Sequence, residues 1–103
     1  MVAMESEKEF ASWVKDMAAA YGWTVWYTQQ SGPGRGMGPH SPAGEPDLRL
    51  IRPPRVVFAE LKREKGKTTS LQNEAQILLD LCPGVEVYLW KPSDRTAIEL
   101  RLR

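Results

Sequence analysis

Two carboxylates and a lysine, Asp47, Glu60 and Lys62, lie in or beside hydrophobic segments of the chain. Charged groups are costly to place near an apolar core unless they have partners. Carboxylates are ligands that suit Mg²⁺ and Mn²⁺, and these ions neutralise the negative charge of a phosphate under attack. The three residues therefore predict a divalent-metal site that acts on phosphate. The alternative interpretation of the same residues is a salt bridge at the end of a strand.

The residues between the two carboxylates predict a β-hairpin. Segments 48–51 and 56–59 are apolar and partly β-branched, which is typical of strands. The turn 52–55 contains two prolines, which cannot donate hydrogen bonds to a sheet. The near-continuous apolar run 56–61 favours a central strand that is covered on both faces.

The register of this hairpin decides whether the charged groups meet. If Ile51 pairs with Val56 across the turn, Asp47 falls directly opposite Glu60, with Cβ atoms roughly 5 Å apart. Two carboxylates at that separation can share one cation at roughly 2.1–2.4 Å per oxygen. Alternation of side chains along the strand puts Lys62 on the same face as Glu60. The predicted hairpin therefore gathers all three groups.

The composition limits the class of protein. Residues 1–103 suit a single domain, and 14 basic and 13 acidic residues leave a net charge of +1. Contact with nucleic acid would therefore depend on local basic clusters. The single cysteine, Cys82, excludes an internal disulfide framework, and we expect it to be a small buried hydrophobic residue. No apolar stretch approaches the ~20 residues of a membrane span, and the first residues lead into acidic sequence, so we expect a cytoplasmic protein without a secretory signal.

A helix opens the predicted fold. Ser6 and Glu9 form a Ser-x-x-Glu capping box at its start, and Gly22 is a natural stop. A strand over 23–28 follows, and residues 31–46, with five glycines and four prolines, predict an irregular, flexible loop. One face of the helix carries apolar residues at helical spacing, namely Phe10, Trp13, Val14, Met17, Ala18 and Tyr21.

The second half of the chain adds a helix, a strand and a short last element. A helix begins near Thr69 and ends before Pro83, and 85–90 is the fourth strand. Residues 95–103 fit either a short helix, through apolar residues four apart, or an edge strand, through apolar alternation. The order α-β-β-β-α-β, with a short C-terminal element, predicts an α/β layer arrangement.

These residues together resemble a known family. The chain is similar, over nearly its whole length, to stand-alone VRR-NUC domains of the small phage and prophage type, in the PD-(D/E)XK nuclease superfamily. A bare Pro-Asp with Glu-x-Lys is short and common, but a helix glutamate, a glycine-lysine loop and a downstream glutamine make the pattern specific. The matching residues are Glu7, Phe10, Gly22-Trp23, Gly44 to Leu48, Phe58 to Lys62, Lys65-Gly66-Lys67, Gln72 and Val87 to Asp94.

The resemblance implies a restriction-endonuclease-like core, in which helices cover a mixed central sheet, and metal-dependent cleavage of DNA phosphodiesters. Carried over to this chain, Asp47 and Glu60 would bind Mg²⁺ or Mn²⁺ together with the main-chain carbonyl of Leu61. Glu7 would complete the metal shell through water. Lys62 would hold or deprotonate the attacking water and contact the scissile phosphate.

Two of these residues also have a simple structural interpretation. The resemblance implies that Gln72 orients the lysine or the nucleophile, yet Gln72 also completes a Thr-x-x-Gln capping box with Thr69. Glu7 could complement the dipole of the first helix. Its position three residues before Phe10 places it on the apolar side of that helix, which favours a role in the site.

Basic residues beside the predicted site are the expected DNA contacts. Arg63, Lys65 and Lys67 follow it directly, and the alternative is an ordinary solvated loop. Arg35 is the predicted phosphate contact in the glycine-rich loop, which would border the DNA. His40 in the same loop is either solvated or functional. In the second case it would be a general base or a DNA contact.

The resemblance extends to function, because small members of this family are structure-selective nucleases, including homodimeric resolvases of four-way (Holliday) junctions. A two-fold dimer presents two identical sites, which matches the paired strands of a junction. A short chain has little surface for sequence readout, which favours recognition of DNA shape. We therefore expect a homodimeric, Mg²⁺-dependent endonuclease for branched DNA. The alternatives are a DNA-binding accessory module without catalysis, and a nickase or flap endonuclease that needs a partner protein.

Overall fold

The computed structural model describes residues 5–27 and 44–103. Thr28 and most of the predicted loop, including Arg35 and His40, lie outside the described residues. The order of elements confirms the predicted succession α-β-β-β-α-β and adds a C-terminal helix. The elements are α1 (Glu7–Ala20), β1 (Thr24–Tyr27), β2 (Leu48–Arg52), β3 (Arg55–Leu61), α2 (Ser70–Asp80), β4 (Val85–Trp90), a 3₁₀ turn (Pro92–Asp94) and α3 (Arg95–Leu102).

The strands form a mixed sheet in the order β1-β2-β3-β4. The pairs β1–β2 and β2–β3 are antiparallel, whereas β3 and β4 are parallel and are joined by α2. The strand β3 therefore lies inside the sheet, as its apolar sequence predicted. None of the described helices is long and apolar enough to span a membrane.

The β2–β3 hairpin has the predicted register. Ile51 pairs with Val56. Arg52 also pairs with Arg55, so the turn consists of the two prolines alone and not of the four residues predicted. Proline suits this position because it has no N–H group that the end of the sheet would leave unpaired.

Helix α1 begins at the predicted capping box. Ser6 Oγ accepts a hydrogen bond from the Glu9 N–H at 3.1 Å, and Glu9 Oε1 accepts one from the Ser6 N–H at 3.0 Å. The helix stops before Gly22, whose φ of 87° lies in the left-handed region that glycine adopts without strain. The fully buried residues on its inner face are Phe10, Val14 and Ala18.

The hydrophobic core lies between the sheet and the two helices α1 and α3. The C-terminal segment, which fits either a helix or an edge strand by sequence, forms the helix α3. Its Ile98 and Leu102 are buried, whereas Leu100 is exposed. Trp23 donates from Nε1 to the main-chain oxygen of Leu102 at 2.8 Å, which fixes the end of α3 to the sheet. The strands contribute Leu48, Leu50, Val57, Ala59, Leu61 and Trp90 to this core.

Helix α2 packs on the opposite face of the sheet. Phe58 and Glu60 alternate with the core residues of β3 and contact this helix. No residue of α2 is fully buried. Cys82, just beyond the helix, is exposed, so the prediction of a buried cysteine is wrong. The reason is that residues 81–84 are all exposed, with no described layer packed over them.

Candidate active site at the end of the hairpin

Glu60 is the one buried polar or charged residue among those that the structure describes, with 2% of its surface exposed. Its Oε2 accepts a hydrogen bond from Nε2 of Gln72 at 2.7 Å and lies 3.5 Å from Nζ of Lys62. Its Oε1 is buried and has no hydrogen-bond partner in the described part of the chain. Because an unpaired buried oxygen is costly, a cation or a further donor at Oε1 would bind favourably.

Asp47 directly precedes β2, at the position that the hairpin register places opposite Glu60. The last pair in the ladder is Leu48 with Ala59, and Asp47 and Glu60 are the next residues outward. Oδ2 of Asp47 accepts a hydrogen bond from the main-chain N–H of Leu61 at 2.9 Å. This bond holds the carboxylate across the hairpin, against the end of β3.

The pKa of Glu60 reflects how closely the charged groups approach one another. It is raised from 4.5 to about 7, chiefly by burial and then by the negative charge of Asp47. Lys62 lowers it through its charge and its hydrogen bond, and the charge of Glu7 raises it further. A carboxyl with this pKa exchanges its proton near neutral pH, and a cation bound beside it would keep it ionised.

Lys62 continues β3 beyond its last ladder residue. Its main-chain N–H donates to the oxygen of Trp90 at 3.0 Å, which extends the contact between β3 and β4. Only 15% of its side chain is exposed, and its ammonium points to Glu60. The predicted convergence of Asp47, Glu60 and Lys62 is therefore present in the structure.

Gln72 joins helix α2 to the buried carboxylate. Thr69 Oγ1 accepts from the Gln72 N–H at 3.1 Å, and Gln72 Oε1 accepts from the Thr69 N–H at 2.8 Å, which forms the predicted capping box. The amide Nε2 remains free to donate to Glu60. The capping interpretation is confirmed, and the same side chain also reaches the site, so the two interpretations are compatible.

A close approach between Gly44 and α2 positions the segment that leads to Asp47. Gly44 has a φ of 89°, and a Cβ atom added there would lie 2.5 Å from the main-chain oxygen of Leu71. Only glycine permits this contact. Gly44 belongs to the residues that carry the resemblance, but the sequence does not predict this packing, because the partner lies 27 residues away, on another element.

The described residues supply some, but not all, of the ligands that a hard metal ion needs. No group of three or more His, Cys, Asp or Glu side chains within residues 5–27 and 44–103 could hold one. Glu7 is exposed, so the prediction that it shares the buried side of the first helix is wrong, although its negative charge raises the pKa of Glu60. Asp47 and Glu60 remain among the described side chains, and Oε1 of Glu60 is buried there without a described partner. Oxygen donors of this kind suit Mg²⁺ or Mn²⁺ and would need the main-chain carbonyl of Leu61, water or substrate to complete the shell.

The basic segment after Lys62 is anchored by a contact that the sequence did not reveal. Glu64 accepts hydrogen bonds from the N–H of Ser93 at 2.9 Å and from its Oγ at 2.8 Å. These two bonds hold the pKa of Glu64 below 4.5. The three predicted DNA contacts, Arg63, Lys65 and Lys67, are exposed on this anchored loop. No motif marks a pair that lies 29 residues apart.

Comparison with known proteins identifies no relative of this chain. No family model, curated protein or solved structure matches the chain. The resemblance to VRR-NUC domains therefore stays a prediction from the motif residues.

Proposed function

We propose that the protein is a metal-dependent endonuclease that hydrolyses DNA phosphodiester bonds and selects its substrate by DNA structure. The observation that supports this most is Oε1 of Glu60, which is buried beside Asp47 and Lys62 and has no partner in residues 5–27 and 44–103. A cation at this oxygen would offset the free-energy cost of burying a carboxylate. The mixed sheet with helices on both faces is compatible with a restriction-endonuclease-like core, which we propose for this chain.

In this proposal the acidic residues bind the metal ion through their carboxylate oxygens. Asp47, Glu60 and the main-chain carbonyl of Leu61 would hold Mg²⁺ or Mn²⁺, with Glu7 acting through water. When bound, the ion would neutralise charge on the scissile phosphate and lower the pKa of a water ligand. Within the described residues, the Leu61 N–H binds one oxygen of Asp47, and the second oxygen would serve as a ligand.

Lys62 and Gln72 would control the position of the reacting groups. The Lys62 ammonium can donate to an attacking water or to a phosphate oxygen while it remains close to Glu60. Gln72 holds Oε2 of Glu60 at 2.7 Å and so orients the carboxylate, whose other oxygen has no partner among the described residues. Gln72 is therefore a positioning residue in this proposal.

DNA contact would come from the anchored loop, since the net charge of the chain is only +1. Arg63, Lys65 and Lys67 would bind backbone phosphates next to the cleaved bond, and Arg35 would add a contact from the glycine-rich segment. Recognition through phosphates favours DNA shape over base sequence, which is why we propose branched DNA, including four-way junctions, as the substrate. We further propose that the protein is a homodimer and acts in the cytoplasm.

One observation favours a second candidate, a DNA-binding module without catalysis. Only two carboxylates converge within the described residues, and one of them has a pKa of about 7. A site with so few acidic ligands binds Mg²⁺ weakly unless substrate phosphates add ligands. The two candidates differ in one measurable property, because a binding module retains DNA without producing fragments.

The test is a substrate panel. The full chain is incubated with Mg²⁺ or Mn²⁺ and end-labelled duplex, flap, single-stranded and four-way DNA. We expect fragments from the branched substrates and none when EDTA is present. DNA retention without fragments at any metal concentration would establish the second candidate. The nuclease proposal is wrong if no substrate is cut with either ion.

A further inference from the structure

Trp26 differs from the other tryptophans of the chain in its exposure. Trp23 and Trp90 are buried in the core, and Trp13 packs against it. Trp26 in β1 lies outside the core, and 52% of its surface is exposed. Exposure alone is common for a single hydrophobic side chain, so the position of Trp26 decides what it means.

The register of the sheet places Trp26 on the same face as the candidate site. Trp26 pairs with Arg49, and Arg49 pairs with Phe58 of the central strand. Phe58 lies on the α2 face, as does Glu60 two residues later. Asp47 precedes Arg49 by two residues and so shares this face as well. Trp26 and both carboxylates therefore face the same side of the sheet.

Trp26 is also close to the site along the strands. β1 ends at Tyr27, β2 begins at Leu48 and β3 ends at Leu61, so the three strands meet the site at the same end of the sheet. Trp26 and Asp47 are diagonal neighbours across two strands, a relation in which Cβ atoms lie roughly 7–8 Å apart. That separation is comparable with the spacing of neighbouring nucleotides in an extended single strand. A nucleotide adjacent to a phosphate in the site would therefore reach the indole.

The charge beside Trp26 favours a nucleotide as its ligand. The guanidinium of Arg49 lies 5.6 Å from the centre of the indole ring, and 39% of the Arg49 side chain is exposed. Its described ion pair with Glu45 spans 4.0 Å, and such a long, partly exposed pair contributes little, so a phosphate can compete for the guanidinium. An aromatic face with a cation next to it is the combination that stacks a base and binds its backbone.

We propose that Trp26 stacks on an unpaired base next to the cleaved bond, and that Arg49 binds the adjoining phosphate. Bases inside a duplex are paired and stacked on one another, so an indole reaches them only after they are extruded at a cost in free energy. The substrate class is therefore DNA with an unpaired nucleotide beside the scissile phosphate, such as a flap, a splayed arm or an open branch point. That the ligand is DNA rests on the proposed function, whereas the stacking contact is measurable without cleavage.

Binding of fluorescein-labelled DNA in EDTA tests the stacking contact. The full chain is titrated into a forked duplex with unpaired arms and into a blunt duplex, and fluorescence anisotropy is measured. Trp26→Ala should weaken binding of the fork about tenfold, because stacking on an aromatic side chain contributes at least that much per base. Its affinity for the blunt duplex should equal that of the wild type. Trp26→Phe keeps an aromatic face and should bind the fork more tightly than Trp26→Ala.

Tyr27→Ala is the matched control. Tyr27 is 51% exposed on the same strand, but its ring lies on the opposite face, where Nζ of Lys15 on α1 is 3.8 Å from the ring centre. This variant should bind both DNAs as the wild type does. A second readout is 2-aminopurine in an unpaired arm of the fork. The wild type should quench its fluorescence and Trp26→Ala should not, a difference that a purely structural role of Trp26 would not produce.

The outcomes separate this proposal from the nuclease proposal. Wild-type affinity of Trp26→Ala for the fork would overturn the stacking contact, and so would equal losses in Trp26→Ala and Tyr27→Ala. A wild-type chain that binds neither DNA would overturn both proposals. Binding of the fork through Trp26 without cleavage of any DNA in Mg²⁺ or Mn²⁺ would support the stacking contact and refute the nuclease.

Discussion

Burial of a single carboxyl group gives the candidate site its chemistry. Glu60 is surrounded by the sheet, by Gln72 and by Lys62, and its pKa of about 7 is far above the 4.5 of an exposed glutamate. In the folded chain without metal, this group therefore binds a proton that the unfolded chain releases at lower pH. A bound cation would replace that proton, so burial prepares the carboxylate to bind metal near neutral pH.

The first prediction concerns stability against pH. Folding raises the pKa of Glu60, so protonation of this group stabilises the folded chain. Its contribution to the free energy of unfolding is fully present below pH 4.5 and is lost as the pH rises through about 7. The loss is about 3 kcal/mol at most. Urea unfolding in EDTA should therefore show lower stability at pH 8 than at pH 5, and Glu60→Gln should flatten this dependence.

The control for this prediction is Glu99→Gln. Hydrogen bonds from Arg103 and Tyr21 lower the pKa of Glu99, so this group titrates below pH 4.5 and outside the window. Glu99→Gln should keep the slope of the wild type between pH 5 and pH 8. An equal slope in Glu60→Gln and wild type would show that Glu60 is not buried as described.

The second prediction concerns Gln72. Gln72→Ala removes half of the capping box and leaves Oε2 of Glu60 without its shortest hydrogen bond. We expect it to lower the free energy of unfolding by about 2 kcal/mol. Gln76→Ala, one turn later, removes only a 3.3 Å bond to the oxygen of Tyr88 and should cost less than about 1 kcal/mol. Urea unfolding at one pH measures both, and equal losses would contradict the described role of Gln72.

At the scale of elements, the hairpin and both capped helices were predictable because their signals are local. Two prolines fix the turn, side-chain alternation fixes the register, and the Ser-x-x-Glu and Thr-x-x-Gln boxes fix two helix starts. The last element was not predictable, since Ile98, Leu100 and Leu102 fit a helix or a strand equally. Packing decides it: Ile98 and Leu102 reach the core from one helix face, and Leu100 points outward.

The parts of the site that sequence reasoning missed depend on contacts between distant elements. Gly44 packs on the first turn of α2, and Glu64 binds Ser93 near the start of α3. Neither contact leaves a periodic or motif signal. The exposure of Cys82 was missed for the same reason, because it depends on what packs over the end of α2.

The third prediction tests the contact of Gly44 with α2. Gly44→Ala adds a Cβ 2.5 Å from the Leu71 oxygen, and it does so at a positive φ, so we expect a loss of about 3 kcal/mol. Gly84→Ala is the matched control, because Gly84 has a similar φ of 84° and no atom of the described residues lies within 4 Å of the added Cβ. It should cost about 1 kcal/mol. Thermal or urea unfolding compares the two, and equal effects would show that the close approach is absent.

At the scale of the whole molecule, the described helices cover one face of the sheet more fully than the other. One face carries the core with α1 and α3, and the other carries α2, the buried acid and an exposed apolar patch. The candidate site lies where α2 meets the end of the hairpin.

The most direct test of the nuclease proposal is the initial rate at which a four-way junction is cleaved in Mg²⁺. The variants Glu60→Gln and Lys62→Met change charge at the site with little change in volume, and Glu99→Gln removes a carboxylate on α3. We expect the two site variants to lose about 10²–10⁴-fold in rate, both to retain the wild-type circular dichroism, and Glu99→Gln to cleave at the wild-type rate. Wild-type rates in Glu60→Gln and Lys62→Met would contradict the nuclease proposal.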